Sequence, residues 1–320
     1  MKQIWKDFLF SCTMGLIVPW LVLGLINLVK EPGNVQREPT VTQVRQEKNE
    51  IQILIGTAEG PVQMELDRYL TGVVLAEMPA SFEPEALKAQ AVVARTYTMR
   101  AVNGKSKHEN YAVCTDSSCC QSYISVEAYL QKGGTSESVE KIQAAVDATS
   151  GFVLTYDGAL IEATYFSCSG GKTEDAVAVW GTDVPYLQSV DSPGEEKATH
   201  YTDRITFSAG EFTRRLSLDV NGDTKELLGE VTYTDGGGVK RMIIGGKRFE
   251  GTTLRKLLEL PSTAFSIQLM DNTVIITTRG YGHRVGMSQY GADAMAATGK
   301  TFEEILAHYY SGTKLEQLPD

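Results

Sequence analysis

The sequence predicts an α+β protein: an N-terminal transmembrane helix followed by a mixed α+β body. Three observations predict it. An uncharged apolar run opens the chain. Helical and strand-like periodicities then follow one another without the regular alternation of a doubly wound sheet. The composition, 42% hydrophobic over 320 residues, is enough for a real core.

Residues 8 to 29, FLFSCTMGLIVPWLVLGLINLV, contain no charge. A helix of this length reaches about 33 Å, enough for a hydrocarbon core of about 30 Å. A cleaved signal peptide would have a shorter apolar core and a small-residue cleavage site. No such site precedes Glu31, so residues 1–30 are read as a cytoplasmic tip and anchor. Residues 31–50 are polar and charged, with Pro32, Gly33 and Pro39, and are read as a stalk. Lys2 and Lys6 before the span are matched by Lys30, Arg37 and Arg45 after it, so charge leaves its orientation open.

The body, residues 51–314, begins with the alternating strand IQILIG. Leu66, Leu70, Val73 and Val74 are spaced for a helix over 65–77, which Met78-Pro79 ends. A second helix opens at Pro84 and runs to about Ala101. Residues 103–135 are polar and read as loop, and a third helix covers 138–149. FVLTY-DG-ALIEATYF reads as a hairpin with a type I′ turn. Residues 172–205 are loop-rich, and strands separated by DGGG and GG fill 229–250. A short helix covers 252–260, then the strand VIITT leads into RGYGHRVG. A helix to Thr298 is closed by Gly299, and Thr301 with Glu304 forms a capping box for a last helix. Residues 315–320 are a tail.

Subtracting Lys2, Lys6, Lys30 and Asp7 from the chain's 30 basic and 40 acidic side chains leaves residues 31 to 320 with 27 and 39, a net charge of −12. That balance disfavours nucleic acid, which demands a basic footprint. Five cysteines are too few for a disulfide framework in a body this size. No G-x-S-x-G elbow, Walker loop or H-E-x-x-H helix occurs.

Five groups of residues remain. Glu77 continues the apolar stripe of its helix, where an apolar face and the negative end of the helix dipole both disfavour a charged carboxylate. A general acid requires that, although most Glu side chains are simply solvated. Arg95 could pair with a carboxylate or hold a sugar, or lie on the surface. His108, Cys114 and Cys120 form H-x5-C-x5-C, suited to zinc with a fourth ligand from elsewhere, to a disulfide involving Cys119 or Cys120, or to free thiols. Tyr165 and Ser169 sit in TYFSCSGG, a strand end that suits a sugar contact or a plain turn. His283, Ser288 and Gln289 lie in RGYGHRVGMSQYGA, where glycines permit close approach to a ligand.

Together these motifs resemble a known family. VVLAEMPASFEPEALKAQAVVARTYTMR and RGYGHRVGMSQYGADAMA, followed by TFEEILAHYYSGT, resemble the two signatures of the SpoIID/LytB family, and GGGVKRMIIGGKRFEGTTLRKLL is similar to its middle stretch. The likeness spans residues 50–314. It implies a lytic transglycosylase of endospore formers that cuts peptide-stripped glycan strands of peptidoglycan to 1,6-anhydromuramic ends during engulfment. It implies an anchor in the mother-cell membrane and a body facing the space around the forespore. A SpoIIP-type amidase and a SpoIIM-type membrane protein are the implied partners. Carried across by motif, the catalytic acid falls on Glu77, and positions important for activity or substrate fall on Arg95, Tyr165 and Ser169. His108, Cys114 and Cys120 match a zinc site of clostridial members, with the metal expected to be structural. Two positions depart from the family pattern: Arg284 stands where many members have Gly, and Cys168 where Ser or Thr is expected. The rival readings are a non-catalytic wall-binding scaffold or amidase activator, and a hydrolytic muramidase with Glu83, Glu85 or Asp116 as its second carboxylate.

Overall fold

The computed structural model describes residues 51–218 and 227–318. The transmembrane anchor and stalk expected over residues 1–50 lie outside them. Among the described residues no helix is long and apolar enough to cross a membrane.

The body is mixed α+β, as its patterning predicts. Strands β1 (Gln52–Thr57) and β2 (Gly60–Glu65) form a hairpin that leads directly into helix α1 (Leu66–Glu77). The Glu65 carboxylate caps α1 by accepting from the backbone N–H groups of Asp67 and Arg68. Met78 turns extended ahead of Pro79 and ends it. Helix α2 (Pro84–Arg100) starts on its proline and is buried along most of its length. It packs against α1 and against elements from later in the chain, because small and branched residues, Ala86 to Ala94, let neighbours approach closely.

The stretch expected to be loop holds a wide helical turn at 101–105, strand β3 (Val113–Cys114) and helix α3 (Val126–Gln131). β3 lies parallel to β1, pairing Cys114 with Gly56. Helix α4 (Ser136–Ala148) follows. Strands β4 (Phe152–Tyr156) and β5 (Ala159–Leu160) form the expected hairpin, with positive φ at both Asp157 (48°) and Gly158 (75°) as a type I′ turn requires. Its second arm is shorter than expected. The chain leaves β4 after Leu160, and β6 (Tyr165–Phe166) pairs elsewhere. Helix α5 (Ala176–Trp180) is one turn closed by Gly181 in the left-handed conformation.

Residues 202–279 build a second, smaller core. It comprises β7 (Thr202–Ser208), α6 (Ala209–Arg215), β8 (Leu228–Tyr233), β9 (Val239–Ile244), β10 (Lys247–Glu250), α7 (Gly251–Leu257), β11 (Phe265–Met270) and β12 (Thr273–Arg279). Two three-stranded antiparallel sheets, ordered β10-β9-β8 and β11-β12-β7, close on Phe212, Ile244, Leu254 and Val274. The chain then returns to the main core through β13 (Met287–Ser288), α8 (Gln289–Ala297), α9 (Phe302–Tyr309) and β14 (Lys314–Gln317). The Thr301–Glu304 capping box of α9 is present. β13 runs parallel to β6, with Met287 opposite Tyr165 and Ser288 opposite Phe166. That short pairing joins two distant sequence motifs. It depends on Gly286, whose φ is +82° and whose missing side chain would meet the Thr164 carbonyl.

Candidate active site

Glu77 is the last residue of α1 and is half-buried at the wall of a cleft of about 740 Å³. Its Oε1 accepts from the backbone N–H of Ser122 at 2.7 Å, and Oε2 faces the Gln289 amide nitrogen at 3.5 Å. Gln289 is the first residue of α8, placed there because the Ser288 hydroxyl caps that helix through the Gly291 N–H. Three separate parts of the chain therefore converge on one carboxylate.

Tyr165 lines the same cleft from β6. Its hydroxyl donates to Gln121 Oε1 at 3.3 Å, and Gln121 in turn donates to Thr98 at 3.1 Å. Burial first, and the Glu77 carboxylate second, push the Tyr165 phenol well above its ordinary pKa, so it stays an O–H donor at neutral pH. His283 lines the cleft as well. Its Nδ1 accepts from the Val285 N–H at 3.1 Å, and its ring lies between Phe166 and Trp180. Burial, then nearby Arg255, lower its pKa to about 4, so the imidazole is neutral.

The remaining expected contacts sit elsewhere. Arg95 is fully buried and is not among the residues lining the cleft. Its guanidinium donates to Thr149 O (2.7 Å), Val146 O (3.2 Å) and Asp67 Oδ1 (3.0 Å), which ties α1 and α2 to the end of α4. Ser169 is buried with its hydroxyl on Glu195 at 2.8 Å. Ser288 is a helix cap with no exposed surface. Each has a residue type that serves a sugar or a buried backbone network equally well, and here the network has it.

His108, Cys114 and Cys120 do come together, and Cys119 joins them. The four ligand atoms lie within 4.8 Å of one another. His108 Nε2 is 3.4 Å from Cys120 Sγ and 3.5 Å from Cys119 Sγ, and the two sulfurs are 3.9 Å apart. A tetrahedral ion bound by sulfur at about 2.3 Å and nitrogen at about 2.0 Å sets its donors about 3.5–3.8 Å apart. The separations among His108, Cys119 and Cys120 match that geometry, and with Cys114 the cluster could hold a metal ion. All four described cysteines are free thiols, so no disulfide competes for them. Without a cation, burial pushes the Cys114 thiol up to about 11; a bound cation reverses that. Cys168 is not a ligand: its thiol points at Glu195 Oε2, 3.1 Å away.

The cluster also builds the cleft. Cys119, Cys120, Gln121 and Ser122 all line it, and they are consecutive. The backbone turn here is tied down by Cys119 and Cys120 N–H groups donating to Asp116 O. A strap thus runs from the thiols, through the Gln121 contact with Tyr165, to the N–H that holds Glu77. Sequence reasoning left open whether Cys119 or Cys168 completes the cluster, which the geometry answers for Cys119, and it missed Ser122 altogether, since a backbone donor leaves no residue-type signal. It also missed Trp180 and Tyr281, which line the cleft from segments read as loop and turn.

Known proteins resemble this chain along most of its length. The family model for the stage II sporulation protein SpoIID matches residues 57–156, which hold Glu77, Arg95 and the whole metal-type cluster. The chain is 38% identical over 333 residues to stage II sporulation protein D of Bacillus subtilis (strain 168), covering 99% of this chain and 96% of that protein. It is 37% identical to stage II sporulation protein D of Bacillus amyloliquefaciens, covering 97% and 95%. It is also 30% identical over 304 residues to the amidase enhancer of B. subtilis (strain 168), covering 77% of this chain and 40% of that protein. Identity at this level along nearly the whole chain means that the chain belongs to the stage II sporulation protein D (SpoIID) family of sporulation proteins.

Proposed function

We propose that this chain is a peptidoglycan lytic transglycosylase, acting on peptide-stripped glycan strands during forespore engulfment. The observation that carries the reading is the Glu77 carboxylate, offered to a cleft of glycan size by a backbone N–H on one side and an amide on the other.

In the proposed reaction Glu77, neutral, donates its proton to the oxygen that links N-acetylmuramic acid to N-acetylglucosamine. The C1–O bond breaks with its electron pair passing to that oxygen, and the glucosamine side leaves as an alcohol. The substrate's own 2-acetamido carbonyl eases the positive charge at C1. Glu77, now ionised, takes the proton from the muramic O6 hydroxyl, and O6 bonds to C1 to close the 1,6-anhydro ring. No water enters, and Glu77 ends as it began. Ring closure is intramolecular, so proximity supplies part of the acceleration. The Ser122 N–H and the Gln289 amide hold its carboxylate in place, and Tyr165, kept protonated, is a neutral group beside it.

His108, Cys114, Cys119 and Cys120 would hold zinc, whose preference for mixed sulfur and nitrogen donors suits this set. Bound there, zinc would supply a fixed cross-link of the cleft wall and no reacting group.

The anchor over residues 8–29 would hold the chain in the mother-cell membrane with its body outside the cytoplasm, beside a SpoIIP-type amidase and a SpoIIM-type membrane protein. Similarity to an amidase enhancer supports pairing with an amidase.

One observation favours a second reading, hydrolysis by two carboxylates. Glu83, Glu85 and Asp116 do not line the cleft, but Glu162 does, with its carboxylate 3.5 Å from the Arg100 guanidinium. The variants decide between them. Glu77→Gln keeps glycan binding and loses cleavage, while Glu162→Gln keeps both. Full activity in Glu77→Gln, or loss of cleavage in Glu162→Gln, removes the single-carboxylate mechanism. Binding without cleavage in the unaltered, metal-loaded chain would leave the scaffold reading.

A further inference from the structure

Two large aromatic rings border the Glu77 cleft while open to solvent. Trp180 is 44% exposed and Tyr281 45%, and both line the cleft with Glu77. Such rings are normally among the most buried side chains of a domain, and leaving them in water forgoes a large apolar burial.

Neither ring is loose. Trp180 ends the single turn of α5, which Gly181 closes at φ +75°. Its ring rests on His283, with centroids 5.4 Å apart, and His283 meets Phe166 at 5.7 Å. Tyr281 rests on His200 at 4.7 Å and 30°, and His200 is held by Asp203 at 3.0 Å. The Tyr281 backbone is pinned in both directions to Cys168. Each aromatic ring is therefore backed by an imidazole and still presents surface to the cleft. Rigid backing matters, because a ring already fixed loses little entropy when a ligand stacks on it.

The rest of the cleft is mixed: hydroxyl and amide groups such as Ser117, Ser118, Ser122 and Gln289 lie beside Lys107, one further carboxylate, Glu162, and the apolar Phe166. A pyranose matches that mixture. Its C–H face is apolar and flat enough to lie on an aromatic ring, while its hydroxyl and acetamido groups project sideways to polar partners. A wholly apolar peptide would leave the polar wall unpaired, and a polyanionic strand would meet a body of net negative charge.

We propose that Trp180 and Tyr281 form a pyranose-stacking platform that holds the glycan strand in the cleft beside Glu77. This rests on the reading that the cleft takes wall glycan, and adds to it the residues that grip the sugar. His283 is then a positioning residue for Trp180 rather than a direct sugar ligand.

The test uses the full chain in detergent, metal-loaded and carrying Glu77→Gln so that nothing turns over, titrated calorimetrically with peptide-free glycan strands. Adding Trp180→Ala or Tyr281→Ala should weaken binding about tenfold each, the worth of one aromatic contact. Trp180→Phe, which keeps a ring, should recover most of it. A second measurement needs no truncation. Trp180 is the one tryptophan beyond residue 20, so the fluorescence difference between the Glu77→Gln chain and its Trp180→Phe form reports that ring, and it should change as glycan saturates. Unchanged affinity in both alanine variants, or an unresponsive Trp180, overturns the platform and leaves the Glu77 reading intact. Glycan that fails to bind the Glu77→Gln chain at all, or an apolar peptide that binds in its place, overturns both.

Discussion

The Ser122 backbone N–H donates to Glu77 Oε1 at 2.7 Å, two residues along the chain from the Cys120 thiol of the metal-type cluster. The carboxylate proposed to do the chemistry is thus held by a loop whose other end is fixed by sulfur and imidazole. Removing a metal there should loosen the cleft wall rather than delete a reacting group.

The first prediction follows from that strap. Chelation should make Cys119 and Cys120 reactive to a thiol reagent and raise amide exchange at Ser122, while the smaller core around Phe212 and Leu254 keeps its protection. Cys119→Ala should weaken metal binding by more than ~100-fold, since even an outer partner of a ligand is worth ~10–100-fold. Metal content by mass spectrometry and exchange by NMR check both. Unchanged protection at Ser122 in the metal-free protein would break the link.

Arg95 gives the second prediction. Its buried guanidinium serves two backbone carbonyls and Asp67. Arg95→Ala should destabilise the fold by about 3–5 kcal/mol, because carbonyls and a carboxylate lose their partner together. The folded fraction should bind glycan as before. Urea unfolding beside a binding isotherm separates the two, and a normal stability with lost glycan affinity would restore the substrate role that the family resemblance implies.

Arg284 carries the third. It occupies a position where the family pattern favours Gly, and its φ of +66° shows why: the turn is left-handed. The side chain compensates. It donates to Ser169 O (2.7 Å), Lys172 O (2.6 Å) and Gly236 O (2.8 Å), and its Nη1 lies 3.3 Å from the buried Glu174 carboxylate. Arg284→Gly relieves about 1–2 kcal/mol of backbone strain but removes the cation beside buried Glu174, whose carboxylate keeps its bonds from Thr234 and Gly238, at about 3–5 kcal/mol. The net should be a loss of about 2 kcal/mol, read from urea unfolding. The double variant Arg284→Gly, Glu174→Gln should recover part of it. A stabilised single variant would mean that strain outweighs the pair.

His283 sets the fourth, a pH dependence. Its folded pKa of about 4 lies below the ordinary value of 6.5. Between those values the unfolded chain binds more protons, so stability rises with pH through the window and is lost on acidification from about 6.5 towards about 4. The effect should be on the order of 2 kcal/mol, allowing for the ring's partial exposure. The difference in unfolding midpoint between the unaltered chain and His283→Gln should shrink as pH falls, and a constant difference would contradict it.

The helices were largely legible because their apolar stripes and caps are local signals. Leu66, Leu70, Val73 and Val74 are all buried on α1, Pro84 opens α2, and Thr301 with Glu304 caps α9. The Asp157–Gly158 turn was legible for the same reason. Strand β7 was not. It is an edge strand paired only with β12, and of its seven residues Phe207 alone is buried, so its sequence looks like loop. Within the site, Glu77 and the His/Cys cluster could be found by residue type and motif. Cys119 could not be chosen over a disulfide role without distances. For Arg95, Ser169 and Ser288 residue type could not tell a sugar contact from a buried one, because the donors that suit a sugar are the donors that satisfy buried carbonyls, carboxylates and helix ends.

In the reaction proposed for this cleft one carboxylate, Glu77, closes an anhydro ring without water. Its most direct test is mass spectrometry of peptide-free glycan strands digested by the full chain in ¹⁸O-labelled water. The muramic ends this reaction leaves should lack one water, resist reduction and carry no ¹⁸O, and should all be absent with Glu77→Gln. Reducible ends labelled with ¹⁸O would contradict it and establish hydrolysis.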